Sequence, residues 1–283
     1  MRTIEAPLQE IRAASTASGG TALQAAAITT TNLGAIISLP IGADWISVTP
    51  RNFAGGVVAK FAINPWLTIV KTDNLLLSEG TDISSEAQDG DTTAIAFGAF
   101  DTLANGDALY IGSWIPFRGV QVDVGTVNAV ATTLTVEYWN GGSWVTTSAT
   151  DSTDTGATFA VDANVTWTVP TAWTKSTLKN NGAVTATSTS GWVSQSPYTA
   201  NLYWTRWTTS AAHTDPSTIL QFRALNRSTA YAELVSGQTF AESFPAPVGA
   251  GNSFASVEAI CDAGTANLIV NAATRYSSEI GGF

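Results

Sequence analysis

The sequence predicts an all-β protein: two β-sandwich (jelly-roll-like) units with an extended N-terminal arm. Three observations predict it. Apolar and polar residues alternate with a period of two in many short runs, as in strands with one buried face. Turn residues such as Asn140-Gly141-Gly142 and Asn105-Gly106 separate these runs at close spacing. No stretch sustains helical periodicity, and short strands with turns between them indicate a sandwich or barrel.

Thr133–Trp144, TLTVEYWNGGSW, carries the pattern most clearly. Leu134, Val136 and Tyr138 alternate with Thr133, Thr135 and Glu137, and Asn140–Ser143 supply residues that tolerate positive φ. Trp144-Val145 restarts the apolar pattern, so the chain turns back as a hairpin, with Trp139 and Trp144 placed to pack across it.

Before it, residues 1–31 form the arm. Ala, Thr and Ser dominate from Ala13 to Thr31, while Ile4, Leu8, Ile11 and Leu23 give the segment something to bury against a neighbouring subunit. The β pattern begins at Ile36, Ile46 and Val48 alternate with Trp45 and Ser47, and Val57, Ala59, Phe61 and Ile63 extend the pattern to Pro65. The acidic, turn-rich segment ending at Asp89-Gly90 reads as an exposed connection.

Strands are then expected at Thr92–Phe100, Asp107–Gly112 and Phe117–Val124, with Val120, Val122 and Val124 inward. After the hairpin, Val165, Trp167 and Val169 share an inward face. Leu202, Trp204 and Arg206 oppose Tyr203, Thr205 and Trp207, and Leu220, Phe222 and Ala224 point inward. The final strands are expected at Ala230–Val235, Ser256–Cys261 and Ala266–Thr274. The flanking segments are each thin for a stable domain, so residues 32–90 and 223–283 are expected to pair as one discontinuous β domain. Residues 91–222 are then an inserted β-sandwich module.

Composition narrows the function. Charged residues make up 12 % of the 283-residue chain, about half the usual share, so the surface is Thr, Ser, Asn and Gly. Weak charge repulsion favours assembly into something larger. Lys plus Arg number 12 against 22 Asp plus Glu, a net charge of −10, which disfavours nucleic acid because phosphate binding needs clustered cations. No apolar run approaches the roughly 20 residues of a membrane helix. Cys261 is the only cysteine, in the apolar setting VEAICDAG, and reads as an inert core thiol. The N-terminus lacks the apolar core of a secretory signal, so folding in a reducing host cytoplasm is expected.

Four segments carry a resemblance: FRGVQVDVG (Phe117–Gly125), LTVEYWNGGSW (Leu134–Trp144), VTWTVPTAW (Val165–Trp173) and LYWTRWTTSAA (Leu202–Ala212). Their order, a framework strand, a YWN-turn-W hairpin, a W-x-V-P strand and a Y-W-x-R strand, resembles a β-sandwich module of phage virion and tail-associated proteins. The flanks VTPRNFAGGVVAKFAINPW and NRSTAYAELVSG are similar to companion segments of phage structural proteins. The resemblance implies a virion component, not an enzyme: a capsid decoration or cement protein on the shell exterior. Its partners would be the major capsid protein and further copies of itself, with trimers at local three-fold positions a natural geometry. A tail, baseplate or fibre component is the alternative within that class. A carbohydrate-binding adhesin, with a glycan stacked on exposed Trp, is the alternative outside it.

No catalytic, cofactor-binding or metal-binding residue is assigned, and no cofactor is expected. His213, the only histidine, sits in the turn-like AAHTDPS without a Gly-x-Ser-x-Gly elbow, and reads as a surface or loop residue. Ser176-Thr177-Leu178-Lys179 matches Ser-x-x-Lys but lacks the accompanying elements. Zinc needs several His or Cys ligands. Calcium is the one plausible metal, at Asp82, Glu86, Asp89 and Asp91 or at Asp151 and Asp154, and solvated acidic turns are the stronger reading of both loops. Trp139, Trp144 and Trp167 read as packing residues, while Trp66, Trp114, Trp173 and Trp192 read as contact candidates.

Overall fold

The structure is a computed structural model that describes residues 9–10, 24–29, 36–39, 45–72, 80–88, 93–98, 100–183, 197–214, 216–225, 232–243 and 254–274. Those residues are all-β, with antiparallel sheets and one 3-10 turn at Leu103–Asn105. The chain divides into a discontinuous unit, Met1–Ile63 with Thr229–Phe283, and an unbroken unit, Asn64–Ser228.

The first unit opens with β1 (Gln9–Glu10), β2 (Gln24–Ile28), β3 (Ile36–Ser38), β4 (Trp45–Ala54) and β5 (Val58–Pro65). The expectation of a free arm over residues 1–31 is corrected where the chain is described. β2 pairs along the chain's last strand, from Gln24 opposite Val270 to Ile28 opposite Ala266. Ile28 is fully buried there. Apolar Ala-Ala-Ala-Ile in extended form completes the chain's own sheet, which satisfies its backbone groups more cheaply than an arm awaiting a neighbour. Residues 1–8, 11–23 and 30–31 of the expected arm, with Ile4, Leu8, Ile11 and Leu23, lie outside the described residues.

The second unit holds β6 (Thr68–Thr72), β7 (Thr81–Asp82), β8 (Ile95–Ala96), β9 (Ala108–Ser113), β10 (Gly119–Thr126) and β11 (Leu134–Trp139). It continues with β12 (Trp144–Thr146), β13 (Thr150–Asp151), β14 (Ala163–Thr166), β15 (Tyr203–Thr209) and β16 (Thr218–Leu225). One sheet runs β13-β14-β10-β16-β8 and the other β12-β11-β15-β9-β6-β7. Between them lies a core from both inner faces, with Val120, Val122, Val165 and Phe222 on one side and Leu109, Ile111, Val136 and Trp207 on the other. Thr92–Phe100 yields only the two-residue β8. The first boundary falls at 63/64 and not at 90/91, because β6 pairs with β9 and Leu67 and Ile69 lie in this core. The second falls at 228/229, since β16 pairs with β10 as far as Leu225.

After the insertion the first unit resumes with β17 (Ala232–Val235), β18 (Phe240–Ser243), β19 (Phe254–Cys261) and β20 (Thr265–Thr274). Its sheets run β2-β20-β4-β18 and β17-β5-β19-β3, with β1 also on the edge of β20. Ile46, Val48, Leu268 and Val270 meet Ala59, Phe61, Leu234 and Val257 between them.

Numbered within each unit from β2 and from β8, and setting β1, β6, β7 and β13 aside, the two sheets hold strands 1-8-3-6 and 2-7-4-5 in both cases. That is the eight-stranded jelly roll, two Greek keys folded face to face. The second jelly roll sits in the connection between the fourth and fifth strands of the first.

One inward face differs from the alternation read in the sequence. Val122 opposes Phe222 and Asp123 opposes Gln221, but Val124 opposes Ile219, so Leu220 is bulged out of the ladder. The extra residue flips the phase: Ile219 is buried and Leu220 stands half-exposed.

Candidate functional site

Among the described residues, those that sequence chemistry singles out do not converge on one another. Ser176 is buried, its Oγ donates to Thr177 O, and its backbone forms a bridge with Leu202, while Lys179 stands exposed. Cys261 is buried and its thiol donates to Ala263 O at 3.1 Å. In the acidic loop, Asp82 Oδ1 accepts from the Ser84 backbone and hydroxyl, and Glu86 points to solvent. Asp89, Asp91 and Trp192 lie outside the described residues. Asp151 accepts from Thr153 N and Oγ1 and from Thr158 Oγ1, and Asp154 from Gly156 N. These carboxylates shape turns. Among the described residues no three metal-ligating side chains converge.

His213 is not a surface residue. It is 5 % exposed, edge-on to the rings of Phe100 and Phe159, and neither ring nitrogen has a hydrogen-bond partner among the described residues. Burial, with the nearby charge of Lys71, holds its pKa down at about 4. It is therefore a neutral core side chain at neutral pH.

Two Trp assignments are also corrected. Trp66 and Trp173 are buried. Trp173 packs on Phe117 and Tyr203, with ring centroids at 5.2 and 5.8 Å, and its indole N–H donates to Trp204 O. Trp114 is half-buried against a cluster on the outer face of the β9–β15 sheet, where Leu178 and Leu202 cover Trp204. A Trp beside Pro reads as a loop residue, yet these loops fold down onto the sheet.

The most developed polar arrangement lies on that outer face at the hairpin. Trp139 and Trp144 are direct cross-strand partners with rings 5.6 Å apart, edge to face. Asn140 Oδ1 closes the turn by accepting from Gly142 N and Ser143 N. Glu137 opposes Arg206 in the β11–β15 ladder and takes two of its N–H groups on Oε2, at 2.7 and 2.8 Å. The guanidinium lies over Trp144 at 5.0 Å, and Tyr110 packs on the same indole at 5.9 Å. Burial pushes Tyr110 up to about 12. The Arg206–Glu137 charges are matched and the Trp144 ring is covered by the guanidinium and by Tyr110, so the cluster holds the hairpin rigid.

Comparison with family models, with curated proteins and with solved structures returns no match for this chain.

Proposed function

We propose that the chain is a structural protein of a phage particle, and specifically a decoration or cement protein that bridges capsid subunits on the shell exterior. The observation that carries this reading is the repeated jelly-roll strand order, one unit inserted into the other, since jelly rolls recur as viral capsid domains. The charge-poor composition supports it, because packing against many neighbours is easier when few charges must be desolvated. Stabilisation of the shell would come from apolar area buried repeatedly over symmetric copies, the major capsid protein and other copies of this chain being the partners.

The same fold also serves lectins, and the half-buried Trp139–Trp144 pair favours a glycan-binding reading over an enzymatic one. It ranks second because Arg206 already covers the Trp144 ring. The test is gradient sedimentation of purified particles with the chain detected by antibody, followed by antibody binding to intact particles. Co-sedimentation with outside accessibility is expected. A chain that stays at the top of the gradient overturns the proposal.

A further inference from the structure

One end of the inserted jelly roll gathers the large exposed apolar side chains of its described residues. Leu103 stands in the loop between β8 and β9, Val127 and Val130 between β10 and β11, and Val161 between β13 and β14. They are 38, 50, 38 and 39 % exposed. The strand order brings these loops, with the β15–β16 loop, to the same end of the sandwich. Hydrogen bonds tie them together there. Asn128 Nδ2 donates to Thr132 Oγ1 and Thr158 O, its Oδ1 accepts from Thr214 N, and Ala129 N donates to Thr214 Oγ1. Asn128 is 1 % exposed. Phe159 is held at φ +60° beneath them, its N–H donating to Thr153 Oγ1 and its carbonyl accepting from Asn128 N. An aromatic residue in the left-handed region is costly and persists only where its surroundings impose it. These loops are therefore fixed before anything binds, which lowers the ordering cost of docking.

The charge at this end is mainly negative. No Lys or Arg occurs between Arg118 and Lys175, nor in the loops preceding β9 and β16. Asp154 and Asp162 are exposed there and Asp101 is half-exposed. The one cation among the described residues here is Lys71, whose ammonium donates to Ala96 O and lies over the Phe97 ring. Apolar tips inside a mainly acidic rim complement an apolar patch ringed by cations. Two copies meeting through this end would bring like charges together.

We propose that this end of the inserted jelly roll is a docking end, seated on a protein surface with an apolar centre and a Lys/Arg rim. This rests on the virion reading, in which that surface belongs to the shell.

The test is hydroxyl-radical footprinting of the chain free in solution and on purified particles, with Val57 and Val235 of the other unit as exposed reference residues. Slower labelling of Leu103, Val127, Val130 and Val161 on particles, with the references unchanged, is expected. Particle occupancy should fall on the order of tenfold in Val127→Asp/Val130→Asp, whose substitutions are at exposed positions and leave the free protein folded. Protection of Val57 or Val235 instead overturns the docking end and leaves the virion reading intact. Protection of the four residues in the free protein that grows with its concentration also overturns it, in favour of a second copy. A chain absent from particles overturns both.

Discussion

Glu137 and Arg206 face each other across β11 and β15, joined by two contacts to one carboxylate oxygen and roofed by Trp144. Both side chains are less than a fifth exposed, at 19 and 18 %, so this pair differs from a solvated surface bridge. Arg206→Ala would leave a half-buried carboxylate unmatched and the Trp144 ring unsupported. A loss of about 2 kcal/mol in urea unfolding is expected. Arg206→Lys should lose less, since the charge stays while the planar fork is gone. No change in Arg206→Ala would mean the cluster is only surface decoration.

His213 sets an acid limit. An exposed imidazole titrates near 6.5, and in the folded chain His213 is lowered to about 4. Below about pH 6.5 the unfolded chain takes up a proton that the folded chain refuses until about pH 4, so stability is lost as pH falls through that window. His213→Leu removes the coupling. Between pH 7 and 4.5 the variant should lose about 2 kcal/mol less than the parent chain, measured by denaturant unfolding at each pH. Equal losses would show that His213 is solvated in the folded state.

Gly264 and Gly237 separate two costs of adding a side chain. Both have positive φ, +62° and +78°. A Cβ on Gly237 meets nothing within 4 Å, whereas one on Gly264 would lie 1.9 Å from Ala54 O. Gly237→Ala should cost about 1–2 kcal/mol, the price of the left-handed conformation alone. Gly264→Ala should cost several kcal/mol, because it also pushes apart the β4–β5 and β19–β20 connections. Those connections are clasped by Asp262, whose Oδ1 accepts from Val57 N and Val58 N. Thermal melts of the two variants give the comparison.

The N-terminal segment belongs to the fold as far as the described residues reach. Ile28→Asp places a carboxylate in a fully buried site beside β20, and a loss above about 3 kcal/mol is expected. A melting temperature close to that of the parent chain would return β2 to the status of a detachable arm.

Much of this fold was legible because period-2 alternation reports a half-buried strand directly. Leu134, Val136 and Tyr138 do pack inward, and Trp204 and Trp207 do point to opposite faces of their sheet. The failures have identifiable causes. Leu220 and Ile219 exchanged roles because a bulge adds a residue without leaving a mark in composition. Gln24–Ile28 looked like a tail because small Ala side chains carry little periodic contrast, and its partner strand lies at the other end of the chain. Trp66, Trp173 and His213 looked exposed because turn residues surround them, yet their loops close over the core. β18 was missed since Phe240–Ser243 is short and runs from the Ser236–Thr239 turn straight into Phe244-Pro245. The four-loop end was invisible for a different reason. Val127, Val130, Val161 and Leu103 are ordinary apolar residues until the jelly-roll order brings their loops together.

The most direct test of the virion reading is stoichiometry. Quantitative mass spectrometry of purified particles gives the copies of this chain per copy of the major capsid protein. A ratio within a small whole-number factor of the capsid protein is expected of a decoration protein on symmetric sites. A trace ratio would move the chain to the tail or fibre, and its complete absence would contradict a virion role altogether.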